Sequence, residues 1–575
     1  MQSLGVKKFK SMFWVSSLEM ALTIIAMLSD TVIAGHLSTA ETENSIAAIG
    51  TVAPIISVLA FISALITMGS QFLYDHAMGE MDKKRADEIF GMSLLISIFT
   101  GIIIFLTGTL GIDLYLDFLK PDPKIIFYVH EYFFYFKFAL LVTPLSNLLN
   151  GMVYNDGDEL IANAANFMNI IGNIIFSILF AFYFEMGISG VALGTLLKEI
   201  FSIAILSCHF LKKNNSLKVR IYFGFRDLSK FIKYGFVDSG MFLMWGILTF
   251  VLNKLVIACF GSFYLPVLSV AFAMIELSVV FDGVGSAVIP LAGVYYSEGN
   301  FPAVRKIMKY ATKISLLEGI IFTVLAFVFA EKVAMLFDID NPELVKLCAR
   351  AVRIISLSFV ISSVLYLFET YYTVINKNII SVISSFLRNL ILPAIISSAL
   401  ILSGNISGVW NGIALAQTFT LIACAALMKI WYKDKKFPLY LDDEKKVADF
   451  DLKLSPENIL KAQAQAEKFL NGNGVSKKII NRIMFAIEES GMLILENNPG
   501  EKIFAEYTLI LHGKDDVQVI VRDNGKIFNF TDTDNKITSF RSFNLSLVMN
   551  VFNGKKNLLT TSLNRNVFSS SGVQK

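Results

Sequence analysis

Apolar runs as long as a membrane is thick fill most of the chain up to Trp431, divided by short polar stretches. A helix crossing hydrocarbon needs about 20 mostly apolar residues. Twelve stretches reach that length, near 12–36, 45–73, 88–117, 128–154, 161–184, 187–210, 234–260, 265–297, 310–330, 351–376, 379–403 and 406–430. Beyond Trp431 the pattern changes. KDKKFPLYLDDEKKVADFDLKLSPEN is charged and Pro-punctuated and reads as a linker. Helical periodicity then runs through 455–471 and 476–495. Alternation in IFAEYTLIL and VQVIV, joined by His512-Gly513-Lys514-Asp515-Asp516, predicts a hairpin, and an apolar helix at 541–552 precedes two strand-like segments. The expected fold class is an all-α polytopic membrane protein with 12 transmembrane helices, followed by a soluble α+β domain.

Composition supports this and excludes an ordinary soluble enzyme. Of 575 residues, 55% are hydrophobic and 17% charged, against roughly 25% charged in soluble domains. A net charge of +3 gives no sign of a nucleic-acid partner, and four scattered cysteines make no disulfide framework. Basic residues cluster in alternate connections: Lys83, Lys84 and Arg85, then seven between Lys212 and Lys233, then Arg305, Lys306 and Lys309, then Lys433, Lys435 and Lys436. With Lys7, Lys8 and Lys10 these predict both termini on the cytoplasmic side of the inner membrane. The start of the chain runs into an apolar stretch too long for a signal peptide, so it reads as a first spanning helix.

The spans also repeat. GISGVALGTLL at 187–197 echoes NISGVWNGIAL at 405–415, with Ile188 and Ile406 standing 218 residues apart. SDTVIAGHLS at 29–38 echoes NKLVIACFGS at 253–262 in the same order. Two parallel six-helix bundles related by a pseudo-twofold follow. The expected units are 1–215, 216–435, a linker at 436–450, and a cytoplasmic domain at 451–575.

Ionisable groups within spans are costly and so are functional candidates. They are Glu19, Asp30, Lys198, Glu199, Asp238, Lys254, Glu276, Asp282 and Glu369. Asp30 lies about 30 Å beyond Lys10 along the first helix, where a carboxylate can take Na⁺ or a proton. Glu199, Glu276, Asp282 and Lys254 are candidates to line a substrate cleft. The five histidines make no metal-ligand spacing, and none falls between Lys433 and Leu511, so a histidine kinase acting in cis is excluded.

SDTVIAGHLS, ITMGSQFLYDHAMGEMDKKRADEIF, GNIIFSILFAFYFEMGISGVALGT, MLFDIDNPELVKLCARAVRII and GNISGVWNGIALAQ, in this order, resemble the multidrug and toxic compound extrusion (MATE) transporters from about residue 10 to 435. The resemblance implies two six-helix bundles in a V. It also implies export of small organic, often cationic, compounds in exchange for H⁺ or Na⁺, with no catalytic residue and no cofactor. The family's cation site uses an Asp in helix 1, an Asn and an Asp four apart in helix 5, and a Thr in helix 6. Asp30, Asn173 and Thr195 match, and Ser177 stands where the family has the second Asp. In the second bundle, Trp245 and Asn378 fall where some members carry acidic residues, so a second ion site of that type is not expected.

In the tail, FAIEESGMLILEN at 485–497, VRDNG at 521–525 and RSFNLSLVMNVF at 541–552 resemble the GHKL ATPase fold of anti-sigma-factor serine kinases. By that resemblance Glu489, Asp523 and Gly525 would face nucleotide. Leu493 replaces the Mg²⁺-binding Asn, and Ser542 and Asn544 replace glycines, so a degenerate domain without Mg²⁺-ATP turnover is expected, one that binds either a protein, such as a cytoplasmic regulatory protein, or a nucleotide. Two further readings remain open: a membrane-anchored sensor, and a flippase for lipid-linked sugars.

Overall fold

The computed structural model describes the chain except residues 1–2, 38–41, 80–81, 157, 213–216, 221–224, 338, 340, 376, 432–445, 527–539, 551, 561–562 and 571–575. Helix dominates as far as Trp431, because in hydrocarbon every backbone N–H and C=O must find its partner within the segment. The first half comprises α1 (Leu4–Gly35), α2 (Thr42–Gly79), α3 (Lys83–Leu119), α4 (Pro123–Asn155), α5 (Glu159–Phe167), α6 (Asn173–Ile178) and α7 (Gly187–Ser207). The second comprises α8 (Phe225–Phe260), α9 (Leu265–Leu277), α10 (Asp282–Glu298), α11 (Phe301–Val328), α12 (Ala330–Leu336), α13 (Pro342–Leu357), α14 (Phe359–Val374), α15 (Asn378–Phe386), α16 (Leu392–Leu402) and α17 (Gly408–Trp431).

Among the described residues, ten helical segments are long and apolar enough to cross a membrane, or eleven if α13 and α14, bent by 45°, form one span. The twelve expected therefore stand at ten or eleven on length and composition. Outside that count, α1 is one unbroken helix of 32 residues. Two spans that read as uniform helices carry inserted π turns, at Met168–Gly172 and Leu179–Tyr183 in the first half and at Leu387–Ile391 in the second. A π turn takes an extra residue and re-aims every side chain after it, which a fixed 3.6-residue period does not show.

The halves meet along α2 and α8. Asn253 donates to the Gly50 carbonyl at 2.9 Å, and the Asp122 amide donates to Ser262 at 2.8 Å, both at the end of the bundle where α1 finishes.

The tail contains β1 (Lys446–Lys453), α18 (Pro456–Gly472), α19 (Lys477–Asn497), β2 (Phe504–Leu511), β3 (Val517–Asp523), α20 (Phe540–Met549), β4 (Asn553–Thr560) and β5 (Leu563–Ser569). The strands form one antiparallel sheet in the order β1-β2-β3-β5-β4. Composition assigned the start of β1 to the linker; the structure pairs Lys446–Lys453 with β2. The rest of that expected linker, up to 445, lies outside the described residues.

Alternate strand residues face opposite sides of the sheet. Tyr507, Leu509, Val519 and Val521 pack into the tail's core with Ile459, Ile483 and Ile487 from α18 and α19. The opposite face carries charge. Asp451, Glu506, Arg522 and Arg565 stand directly opposite one another on successive strands, two acids beside two bases. Like charges placed so are destabilising, and the helical bundle supplies the counter-charges. Lys306 lies 2.8 Å from Asp449 and 3.5 Å from Asp451. Glu298 pairs with Arg522 and, at 2.6 Å, with Arg565, while Arg522 also holds Glu506 at 2.8 Å. Tyr295 donates to Glu506 at 2.7 Å. The Leu4 amide donates to Asp451 at 2.7 Å, a carboxylate at the positive end of α1. The sheet thus joins the start of α1 to the corner between α10 and α11.

Candidate cation site and its surroundings

Asp30 sits in the last two turns of α1, half-buried between α6 and α7. Asn173 uses both amide hydrogens there: one goes to Asp30 Oδ1 and the other to Ser29 Oγ, each at 2.8 Å. Thr195 donates to Asp30 Oδ2 at 2.9 Å, and its hydroxyl lies 3.4 Å from Asn173 Oδ1. Tyr132 of α4, fully buried, lies beside Thr195 and within electrostatic range of Asp30. The result is one carboxylate with a donor on each oxygen, ringed by neutral oxygens. Hard monovalent cations take oxygen ligands, and a lone carboxylate can instead accept a proton, so the group is chemically suited to either. Among the residues expected at this site, Asp30, Asn173 and Thr195 come together.

Ser177 does not join them. Its hydroxyl turns to the Val191 carbonyl of α7 at 3.3 Å, and a Cβ on Gly194 would stand 2.3 Å from the Ser177 oxygen. Glycine at 194 therefore lets α7 rest directly on α6, and that contact brings Thr195 beside Asn173. The second half repeats the device. Ser397 donates to the Val409 carbonyl at 3.1 Å, and a Cβ on Gly412 would stand 2.2 Å from the Ser397 oxygen. Ser177 is thus a packing staple copied in both halves.

The other intramembrane charges separate. Lys254, expected in the cleft, instead donates to the Phe118 carbonyl at the end of α3 and lies 4.4 Å from the Phe118 ring centroid. A cation there answers the unpaired carbonyls of a helix C-terminus. Glu199 is buried on α7 beside Ser146. Glu276 is half-buried on α9, one turn of 3₁₀ helix (Ser278–Phe281) away from Asp282. Glu369 is gripped by Arg388, with Nε 3.1 Å from Oε1 and Nη2 2.8 Å from Oε2, and Ser384 adds a bond at 2.7 Å. Arg388 also lies 3.7 Å from the Tyr366 ring centroid, and Asp282 is within electrostatic range of the pair. The side chains of Glu19, Asp238, Asn378 and Ser542 lie outside the described residues.

Two of these partners escaped the sequence. Arg388 is a basic residue inside the apolar stretch 379–403, so the cost of burying charge was signal enough. Tyr132 falls within the aromatic run EYFFYFKF, where nothing distinguishes one ring from the next.

In the tail, Asp523 Oδ1 accepts from the Gly525 amide at 2.9 Å and from Asn564 at 3.0 Å. Burial pushes the Asp523 carboxyl up despite those bonds. Glu489 is buried and receives Asn544 at 3.4 Å, while Leu493 packs into the apolar core.

Comparison with known proteins places the bundle. The chain is 21% identical over 434 residues to the multidrug export protein MepA of Staphylococcus aureus (strain bovine RF122 / ET3-1), covering 74% of this chain and 93% of MepA. It is 25% identical over 244 residues to the uncharacterized transporter YisQ of Bacillus subtilis (strain 168), covering 40% of this chain and 51% of YisQ. It superposes on an inward-facing MATE family multidrug resistance transporter of the MOP superfamily with a TM-score of 0.66 at 20% identity, covering 73% of this chain and 99% of that one. An outward-facing structure gives a TM-score of 0.57 at 21% identity, over 75% and 98%. The MatE family itself matches residues 16–183 and 240–398, so the chain belongs to the MatE family of multidrug efflux transporters.

Proposed function

We propose that this protein exports small organic compounds across the inner membrane by exchange for H⁺ or Na⁺, with Asp30 as the coupling group and both termini cytoplasmic. In this reading α1 is a twelfth span. The carrying observation is the intramembrane carboxylate held by Asn173 and Thr195. A cation there changes the energy of one arrangement of the halves relative to the other, which is what coupling requires. Efflux from proteoliposomes, with Na⁺ and pH gradients imposed separately, tests it: transport indifferent to both would refute the coupling.

The tail acts as a regulator in the same reading, because it holds α1 of one half to α10 and α11 of the other. Alternating access moves the halves against each other, so a docked tail restrains turnover and a released one frees it. The resemblance of the tail to an ATPase does not extend to activity. With Leu493 in the core and no Mg²⁺ ligand at that position, the purified protein should hydrolyse no ATP above a protein-free blank. Mg²⁺-dependent turnover would overturn this.

Docking should also respond to pH. Burial, with Asp449 adding, pushes the Glu506 carboxyl up to about 8, Arg522 pulling the other way. Asp451 is shifted upward too, again by burial first and Asp449 second. A carboxyl raised above its ordinary value of about 4.3 favours the docked state when protonated. That contribution is complete below about 4.3 and is lost as pH rises through about 8. Spin-label distances between α11 and the tail sheet should therefore lengthen from pH 6 to pH 9, and Glu506→Gln should flatten the change. A distance independent of pH in the unmodified protein would contradict it.

A further inference from the structure

The staple shared by the two halves fixes which residues of the second bundle correspond to the cation site. Pro393 stands four residues before Ser397, as Asn173 stands four before Ser177. Ile413 follows Gly412, as Thr195 follows Gly194. Both polar ligands have become apolar, and both replacements line a cavity open on one side. That largely apolar lining suits a small organic molecule better than an ion.

The remaining wall says what kind of molecule. Among the described residues Arg388 is the one charged group lining the cavity, and its charge is already answered by Glu369. No carboxylate lines it among the described residues, so apart from Arg388 the polar groups it offers a ligand are neutral. Two buried polar atoms of the lining have no hydrogen-bond partner among the described residues, Trp245 Nε1 and Gln417 Oε1. Gln417 is only 9% exposed. One atom is a donor and the other an acceptor, and buried groups left so are costly unless a ligand completes them. The indole of Trp245 and the ring of Tyr366 add flat apolar faces.

We infer that this cavity binds a neutral, planar aromatic compound bearing both a carbonyl and an N–H, which accept from Trp245 and donate to Gln417. The two halves would then divide the work, the first holding the ion and the second the cargo. That division rests on the export reading, but the binding does not.

Acridone, which is fluorescent, neutral and carries one carbonyl and one N–H, is the probe. N-methylacridone lacks the donor, and 10-methylacridinium is a cation of similar size. Equilibrium titration of the full-length protein in detergent, with no gradient, should show saturable acridone binding. Methylation should weaken it, and Trp245→Phe and Gln417→Leu should each weaken it about three- to tenfold. Asp30→Asn should still bind acridone saturably, which separates this site from the coupling site. Acridinium binding as tight as acridone, no saturable acridone binding, or binding untouched in both Trp245→Phe and Gln417→Leu would overturn the inference. If Gln417→Leu does not fold, Trp245→Phe, which keeps a ring in place, decides alone.

Discussion

Asp30→Asn should bring export to background while the protein stays folded in the membrane. Asparagine keeps the shape of the side chain, and its carbonyl oxygen can still accept from Asn173 or Thr195, so packing between α1, α6 and α7 survives. What is lost is the negative charge that cation or proton occupancy neutralises. A gradient of 100 mV supplies about 2.3 kcal/mol for each charge moved, equivalent to a roughly 50-fold cargo gradient. Without a group to bind the ion, none of that reaches the cargo. The measurement is drug efflux from a host lacking its own exporters, with Na⁺ and pH varied independently. Normal efflux by the variant under either gradient would remove Asp30 from the mechanism.

The second large effect concerns the tail. Arg522→Met should release the sheet from the bundle, because Arg522 is the base shared by Glu298 of α10 and Glu506 of β2. Both Arg522 and Glu506 are almost fully buried. Removing one partner from a buried ion pair costs about 3–5 kcal/mol, mostly by stranding the opposite charge. Docking should then weaken by about a hundredfold to a few thousandfold. Hydrogen exchange at the start of α1 and across the α10 to α11 corner reads the release, while exchange in the strands' apolar face reports whether the tail itself stays folded. Adding Glu506→Gln to Arg522→Met removes the carboxylate left without its base, while Glu298 keeps Arg565, and should restore part of the docking. Faster export in the single variant is expected if the docked tail restrains turnover. Unchanged protection at both docking sites in Arg522→Met would show that the charge row does not hold the tail.

The distinction between these two sites is also one of legibility. Asp30 could be read in advance because a carboxylate inside an apolar run is expensive wherever its helix packs. The charge row of the tail could not. Asp449 and Asp451 looked like linker residues, since their alternation with Val447, Ala448, Phe450 and Leu452 is mixed with Lys445 and Lys446. Their counter-charge, Lys306, lies far away in sequence.

Sequence alone determined that the chain carries membrane-length apolar stretches with an internal echo, that a mixed α and β tail follows, and that Asp30 is an acid within an apolar run. These properties are local: the cost of burying a group, or the length needed to cross hydrocarbon, depends on a few neighbouring residues. Tertiary structure decided which polar residues meet. It placed Thr195 on Asp30 through the glycine beside it, turned Ser177 away into a packing role, and sent Lys254 to a helix end. It also set Arg388 against Glu369 and closed the tail onto α1. Each outcome depends on helix rotation, on π turns that shift the side-chain register, and on partners distant along the chain, and no local pattern carries those.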